Sequence, residues 1–168
     1  YFAILEYYKA KAPGEALPQK PVAPIGLDLK QFTSRPSRFR RSVGAVNMVR
    51  IDEARRRIYH SDGLNQFLDV IDSDGEWVES LQVGNVPVGF AENGGDFFLT
   101  MIGTFTPSDI PRGELALLRH ENGAFVRKKT VLSKIPRPTH TNFADLNGDG
   151  RTDLIVSMYG NNIGRLSW

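Results

Sequence analysis

From Val43 onward, short runs of apolar and β-branched residues alternate with turn-forming Asn, Asp and Gly. Runs this short, bounded by such turn residues, predict β-strands and not helices. Three segments repeat the order strand, loop, strand: residues 46–61, 88–103 and 142–160. Repetition of this kind predicts an array of similar small sheets.

The remaining strands are predicted as hairpins. The segment 66–82 turns at Asp72–Gly75, and the segment 114–131 turns at His120–Gly123. Asp-Gly and Asn-Gly pairs between apolar runs are strong hairpin signals. Residues 104–112 form a longer predicted loop, a place where binding surface commonly varies.

The first part of the chain has a different pattern. Residues 1–12 place apolar side chains at helical spacing, and Pro13-Gly14 ends that predicted amphipathic helix, which fits the tail of a preceding domain. Residues 13–44 are rich in proline and arginine and predict a linker, with one strand at 25–32. The domain of short strands then occupies 45–168.

Composition excludes several classes of protein. With 168 residues and 40% hydrophobic content the chain can bury one core, and a formal charge of +2 does not indicate nucleic-acid binding. Without cysteine it has no disulfide or thiolate metal site, and no apolar run predicts a membrane span. Basic clusters at 35–41 and 55–57 suit either an anionic partner or, as base rates favour, a solvated face.

One loop concentrates oxygen donors. Its polar side chains stand at positions 1, 3, 5 and 9 of a short turn, with Gly150 at position 6; they are Asp145, Asn147, Asp149 and Asp153. Alternate carboxylate and amide oxygens in a tight turn are the ligands that Ca²⁺ prefers. The alternative is a metal-free turn rich in Asn, Asp and Gly, but three acids this close repel one another without a cation.

The flanks of the loop distinguish two kinds of calcium site. An EF-hand needs a helix on each side and a glutamate at position 12 of the loop. Here position 12 is Val156, inside the β-branched run Leu154–Val156, which predicts a buried strand. The loop is therefore predicted between two strands, and a calcium sensor that works by reorienting helices is disfavoured.

Residues 143–156, with Tyr159-Gly-Asn-Asn162 and Gly164–Trp168, resemble the FG-GAP (VCBS-type) repeat. That repeat forms the blades of integrin-like β-propellers and of many bacterial secreted or periplasmic proteins. The resemblance implies a periplasmic or extracellular protein with Ca²⁺ held between the first two strands of a blade. It assigns side-chain ligands to Asp145, Asn147, Asp149 and Asp153, and a backbone carbonyl ligand to Arg151.

The expected fold is an all-β partial β-propeller of antiparallel four-stranded blades. The blades are expected at about 45–86, 87–140 and 141–168, the last one incomplete. Because a closed ring needs about four to eight blades, we expect the remaining blades in the same, longer chain. Only the third loop is expected to bind calcium, since the second is shorter and the first has Arg55, Arg56 and Arg57 where ligands would stand.

Two functions remain open at this point. The first is a calcium-stabilised scaffold that binds a protein or polysaccharide through its loop faces, with no catalytic residue. The second is the propeller part of a periplasmic cytochrome-linked oxidoreductase or sugar-active enzyme, because residues 1–18 also resemble the last helix of a cytochrome c-like domain. His140 or the basic clusters would then lie near substrate, although a structural histidine is the better expectation for His140.

Overall fold

The computed structural model describes residues 44–160 and 162–168. The predicted helix at 1–12, the predicted strand at 25–32 and the linker up to residue 43 lie outside the described residues. All regular structure in the described part is β-strand, and no helix there could cross a membrane. The predicted all-β class is confirmed.

Eleven strands follow one another along the described chain. They are β1 Val46–Asp52, β2 Arg57–Asp62, β3 Phe67–Asp72, β4 Trp77–Gln82, β5 Pro87–Asn93, β6 Asp96–Met101, β7 Gly113–Glu121, β8 Ala124–Ile135, β9 Pro138–Ala144, β10 Asp153–Met158 and β11 Arg165–Ser167.

These strands form three antiparallel sheets in which neighbours in sequence are neighbours in space. Sheet 1 has the order β1-β2-β3-β4, sheet 2 has β5-β6-β7-β8, and sheet 3 has β9-β10-β11. The first strands of successive sheets also contact one another, β1 with β5 and β5 with β9. Sheet 3 begins at Pro138, ahead of the expected boundary at residue 141.

The turn at Asp72–Gly75 shows how polar residues direct these hairpins. Asp72 Oδ1 accepts hydrogen bonds from the backbone N–H groups of Asp74 and Glu76, both at 2.9 Å. The Glu76 amide in particular lowers the pKa of the Asp72 carboxyl below its usual value. Asp72 therefore fixes this hairpin, and a turn at Asp72–Gly75 is confirmed.

An aromatic cluster fills the space between sheets 1 and 2. It consists of Tyr59, Phe90, Phe97 and Phe125, all buried. The rings of Phe97 and Phe125 meet edge to face with centroids 5.0 Å apart, and those of Tyr59 and Phe90 lie 5.1 Å apart. Fully buried leucines surround the rings, so apolar burial holds these two sheets together.

The junction between sheets 2 and 3 is more polar. Phe98 contacts Phe143 at a centroid distance of 4.6 Å, and the buried hydroxyls of Thr100 and Thr141 share a hydrogen bond of 2.8 Å. In the predicted buried strand of sheet 3, Val156 is buried but Leu154 is only half-buried. The contacts between sheets 2 and 3 therefore combine a buried hydroxyl pair with apolar side chains.

Leu99 tests the core between sheets 1 and 2, because its side chain is fully buried. We expect Leu99→Ala to lower the free energy of unfolding by about 2–5 kcal/mol, since it leaves a cavity among well-packed side chains. Urea denaturation followed by tryptophan fluorescence measures the change. The matched control is Leu166→Ala on β11, where the leucine is 59% exposed and a change within about 0.5 kcal/mol is expected. Equal losses in the two variants would contradict this assignment of the core.

Candidate functional site

The acid-rich loop occupies residues 145–152, between β9 and β10. Ala144 pairs with Asp153 at its base, and the antiparallel register continues from there down both strands. The loop lies between two strands, as predicted, and its residues are exposed except where Asp153 enters β10. This position separates the loop from the helix-flanked calcium sites of EF-hands.

Asp145 organises the turn through both of its carboxylate oxygens. Oδ1 accepts the backbone N–H groups of Gly148 at 2.8 Å and Asp149 at 3.2 Å, while Oδ2 accepts that of Gly150 at 2.8 Å. Gly148 and Gly150 have φ values of 77° and 81°, which residues with a Cβ rarely adopt. The chain can therefore wrap around the first acid of the loop.

The other predicted ligands stand along the same turn. Asn147 donates through Nδ2 to Asp149 Oδ2 at 3.1 Å, and Asp149 Oδ1 accepts the backbone N–H of Arg151 at 2.8 Å. That Arg151 amide lowers the pKa of Asp149, with help from the Asn147 side chain. Asp153 Oδ2 accepts the backbone N–H of Leu146 at 2.9 Å and so ties the far end of the loop to its beginning.

The arrangement brings the predicted ligands onto one short loop but directs their oxygens to backbone amides. Within residues 44–160 and 162–168, no three His, Cys, Asp or Glu side chains are grouped as ligands of one metal ion. The donor chemistry nevertheless suits a hard cation, because the loop offers three carboxylates and a carboxamide and no nitrogen or sulfur ligand. An oxygen that accepts one backbone hydrogen bond keeps a further lone pair for an ion.

The equivalent turn of sheet 1, between β1 and β2, contains arginines where the loop of sheet 3 has acids. The Arg55 guanidinium donates to Asp52 Oδ2 at 2.6 Å, and the Arg55 backbone N–H donates to Asp52 Oδ1 at 2.9 Å. The hydroxyl of Tyr59 reaches the same carboxylate at 3.2 Å. The sequence places Arg55, Arg56 and Arg57 where ligands would stand, and in the structure the Arg55 guanidinium supplies positive charge to this loop.

Arg55 also links sheet 1 to sheet 2. Its Nη2 donates to Glu92 Oε1 at 2.9 Å, and Arg50 donates to the other oxygen of Glu92 at 3.3 Å. Glu92 lies near the end of β5. Its carboxylate serves as the partner of two arginines from the neighbouring sheet.

The contacts around Arg55 shift the pKa values of Asp52 and Tyr59. Burial alone would raise the pKa of Asp52, but the hydrogen bonds from the Arg55 side chain and backbone outweigh it and leave the pKa below its usual value. Burial, reinforced by the nearby Asp52 charge, raises the pKa of Tyr59 to about 12. Asp52 is therefore ionised at neutral pH and Tyr59 remains a hydrogen-bond donor.

The turn of sheet 2 is the shortest of the three, with Gly94 and Gly95 between the paired residues Asn93 and Asp96. Asp96 accepts from Arg119 Nε at 2.6 Å and from Nη2 at 3.2 Å. The same hydrogen bonding lowers the pKa of Asp96. This turn is fixed by glycines and an ion pair.

A cavity of about 600 Å³ opens between sheets 1 and 2 beside these turns. Apolar side chains from the aromatic cluster line it together with charged groups, among them Arg57, Glu79 and His120. This cavity could not be predicted from the sequence. Strand alternation alone places Glu79 on one face of β4, and nothing in a single sequence shows that this face meets a second sheet.

The three histidines lie on different strands. His60 is buried on β2 with Nε2 3.5 Å from Asp69 Oδ2, whereas His120 packs edge-on against Phe125 at 5.1 Å. His140, the histidine considered for a substrate site, is exposed on β9. These positions do not bring the histidines together as one site.

Neither the known protein families nor the curated proteins contain a match to this chain.

Arg55 is the test of the cross-sheet network. We expect Arg55→Gln to lower the free energy of unfolding at pH 7 by about 1–2 kcal/mol, because it leaves the buried Asp52 charge without its partner while Arg55 itself is partly exposed. Since the wild-type pKa of Asp52 is lowered, its stabilising contribution is full at neutral pH and is lost as the pH falls through that pKa. The deficit of the variant should therefore shrink below about pH 4.

The neighbouring Arg56→Gln variant is the matched control. Arg56 is exposed, and among the described residues its side chain donates only to Ser73 Oγ, at 2.9 Å. Urea titrations of both variants between neutral and acidic pH measure the effect. A deficit for Arg55→Gln that stays constant with pH, or one equal to that of Arg56→Gln, would show that Asp52 and Arg55 are not coupled.

Proposed function

We propose that this chain is part of a calcium-stabilised β-propeller of the FG-GAP/VCBS type, which serves as a scaffold for binding a protein or polysaccharide. The observation that supports it best is the succession of antiparallel meanders whose first strands β1, β5 and β9 are neighbours. Repeated sheets that meet through their first strands are the arrangement expected of consecutive propeller blades. The acid-rich loop at the β9–β10 connection is where the resemblance expects the ion.

The loop residues suit Ca²⁺ by their chemistry. Asp145, Asn147, Asp149 and Asp153 would hold the ion through side-chain oxygens, and Arg151 through its carbonyl. Backbone amides already hold Asp145, Asp149 and Asp153, so an ion would use the lone pairs that these carboxylates keep free. A bound ion would neutralise the repulsion among the three acids and connect β9 to β10.

The proposed partner surface is the set of loops at the sheet ends. The long connection between β6 and β7 exposes Phe105 and Ile110, which are 43% and 56% accessible. The buried Arg137 supports this loop by donating to the carbonyl oxygens of Thr104 at 3.0 Å and Thr106 at 2.8 Å. Apolar side chains on a supported loop are suited to binding another macromolecule.

A location outside the cytoplasm fits this proposal. Extracellular calcium-binding modules commonly have dissociation constants of about 10⁻⁴ to 10⁻³ M, matched to the calcium around them. An exposed loop of this kind would then be occupied during the working life of the protein. In this function the ion stabilises the scaffold and takes no part in a reaction.

Calcium should raise the melting temperature of the protein. At free calcium about 100-fold above its dissociation constant, binding to the folded state alone adds about 2.7 kcal/mol to the free energy of unfolding. Differential scanning calorimetry in CaCl₂ and in excess EDTA measures the shift, which should be several degrees. Asp145→Asn should remove most of it, because the variant keeps the shape of the side chain and loses its charge.

Asp74→Asn is the matched control, since Asp74 lies in the similar Asp-rich turn of sheet 1 that is predicted not to bind calcium. Its response to calcium should equal that of the wild type. Identical melting curves in calcium and EDTA would refute the calcium part of the proposal. A calcium response that survives Asp145→Asn would place the ion elsewhere.

A further inference from the structure

Two side chains of opposite charge line the cavity between sheets 1 and 2, and neither forms an ion pair with another residue of its lining. Glu79, on β4, and Arg57, at the start of β2, both line it. Tyr59, Val70 and Glu79 stand side by side across three strands, and Arg57 lies two residues before Tyr59 on the same face. Both charged groups therefore border the same space from sheet 1.

The Glu79 carboxylate has unused hydrogen-bonding capacity. Its Oε2 accepts the backbone N–H of Phe125 at 3.1 Å, whereas Oε1 is buried and has no hydrogen-bond donor among the described residues. Burial raises the pKa of Glu79, while the Phe125 amide and the charges of His120 and Arg57 act in the opposite direction. A carboxylate in this situation is best stabilised by a cationic donor.

The Arg57 guanidinium is also available, although its charge acts on the carboxyl of Asp72, its cross-strand neighbour, as well. In the described part of the chain its only hydrogen bond goes to the carbonyl oxygen of Arg56, at 3.3 Å, and it forms no ion pair. Arg57 and Glu79 act on each other through their charges without forming an ion pair. The cavity thus lies between Arg57, which can bind an anion, and Glu79, which can bind a cation.

The other charges around the cavity already have partners. Arg55 is paired with Asp52 and Glu92, Arg119 with Asp96, and Glu121 with Lys128. The Arg57 and Glu79 charges therefore remain as an opposite pair on the walls. The floor is apolar, since Phe97, Phe125, Val70 and Val78 form it.

We propose that this cavity binds a zwitterionic ligand of the amino-acid class, with its ammonium group on Glu79, its carboxylate on Arg57 and an apolar side chain on the aromatic floor. Cavities of this size accommodate small molecules, and a few convergent polar groups in an apolar site set the orientation of a ligand. An anion alone would meet the Glu79 charge, and a cation alone would meet the Arg57 charge. This site does not involve the calcium loop, and the inference does not require the propeller assignment.

A set of closely related probes tests the charge pattern. L-phenylalanine is the zwitterion, N-acetyl-L-phenylalanine has only the negative charge, L-phenylalaninamide has only the positive charge, and methyl glucopyranoside is a neutral polyol. Each is titrated into the ¹⁵N-labelled 168-residue chain, and the amide shifts of Gly94, Gly95 and Phe125 report on the cavity. We expect L-phenylalanine to bind about tenfold more tightly than either singly charged probe, the loss expected when one charge-assisted hydrogen bond is removed.

Variants assign each charge to its residue. Glu79→Gln should reduce the affinity for L-phenylalanine to that for its N-acetyl derivative and leave the N-acetyl derivative unaffected or better bound. Arg57→Gln should weaken both of these probes about tenfold. Arg56→Gln is the matched control and should change neither affinity. The dispersion of the amide spectrum shows whether each variant is folded. If a variant does not fold, the comparison of the four probes on the wild-type protein still tests the proposed charge pattern.

Several results would overturn the proposal. These are the absence of cavity shifts with L-phenylalanine, equal affinities for the zwitterion and a singly charged probe, tighter binding of the polyol, or equal effects of Arg57→Gln and Arg56→Gln. The calorimetric response to calcium is measured separately on the same protein. A calcium response without L-phenylalanine binding would therefore refute this inference and leave the proposed function standing.

Discussion

The contact between the aromatic rings of sheets 1 and 2 is the interaction on which the described structure most depends. Tyr59 enters from one sheet, and Phe90, Phe97 and Phe125 enter from the other. Small antiparallel sheets expose one apolar face each and are marginal alone. Burying these rings against each other stabilises both sheets at once, and it fixes the positions of the turns above them, including the Arg55 network.

Charge is handled differently at each of the equivalent turns. In sheet 1 a guanidinium neutralises Asp52 and reaches across to Glu92, whereas in sheet 2 two glycines shorten the turn and Asp96 takes Arg119 as its partner. The third turn retains its acids, and their oxygens face backbone amides. One repeated hairpin thus tolerates a fixed cation, an ion pair or an acid-rich loop, because the strands below are held by packing that none of these turns provides.

The sequence predicted the strands well because their determinants are local. Alternation of apolar residues and the turn at Asp72–Gly75 act over a few positions, and the hairpins followed from them. The acid-rich loop was also predicted from neighbouring residues alone. What could not be predicted depends on contacts between sheets: the reach of Arg55 to Glu92, the burial of Arg137 under the loop after β6, and the exposure of Glu79 to a cavity. Separations of this size along the chain leave no periodic signal.

The attachment of sheet 3 has a consequence for how the molecule opens. The strands of sheet 3 contribute no side chain to the main cluster of buried apolar residues, so sheet 3 should form the region of lowest local stability. Transient detachment of β9 to β11 would expose Val156 and Met158 while the first two sheets remain intact. The acid-rich loop belongs to sheet 3. A divalent ion bound there would connect β9 to β10 and so make the detachment of this sheet less frequent.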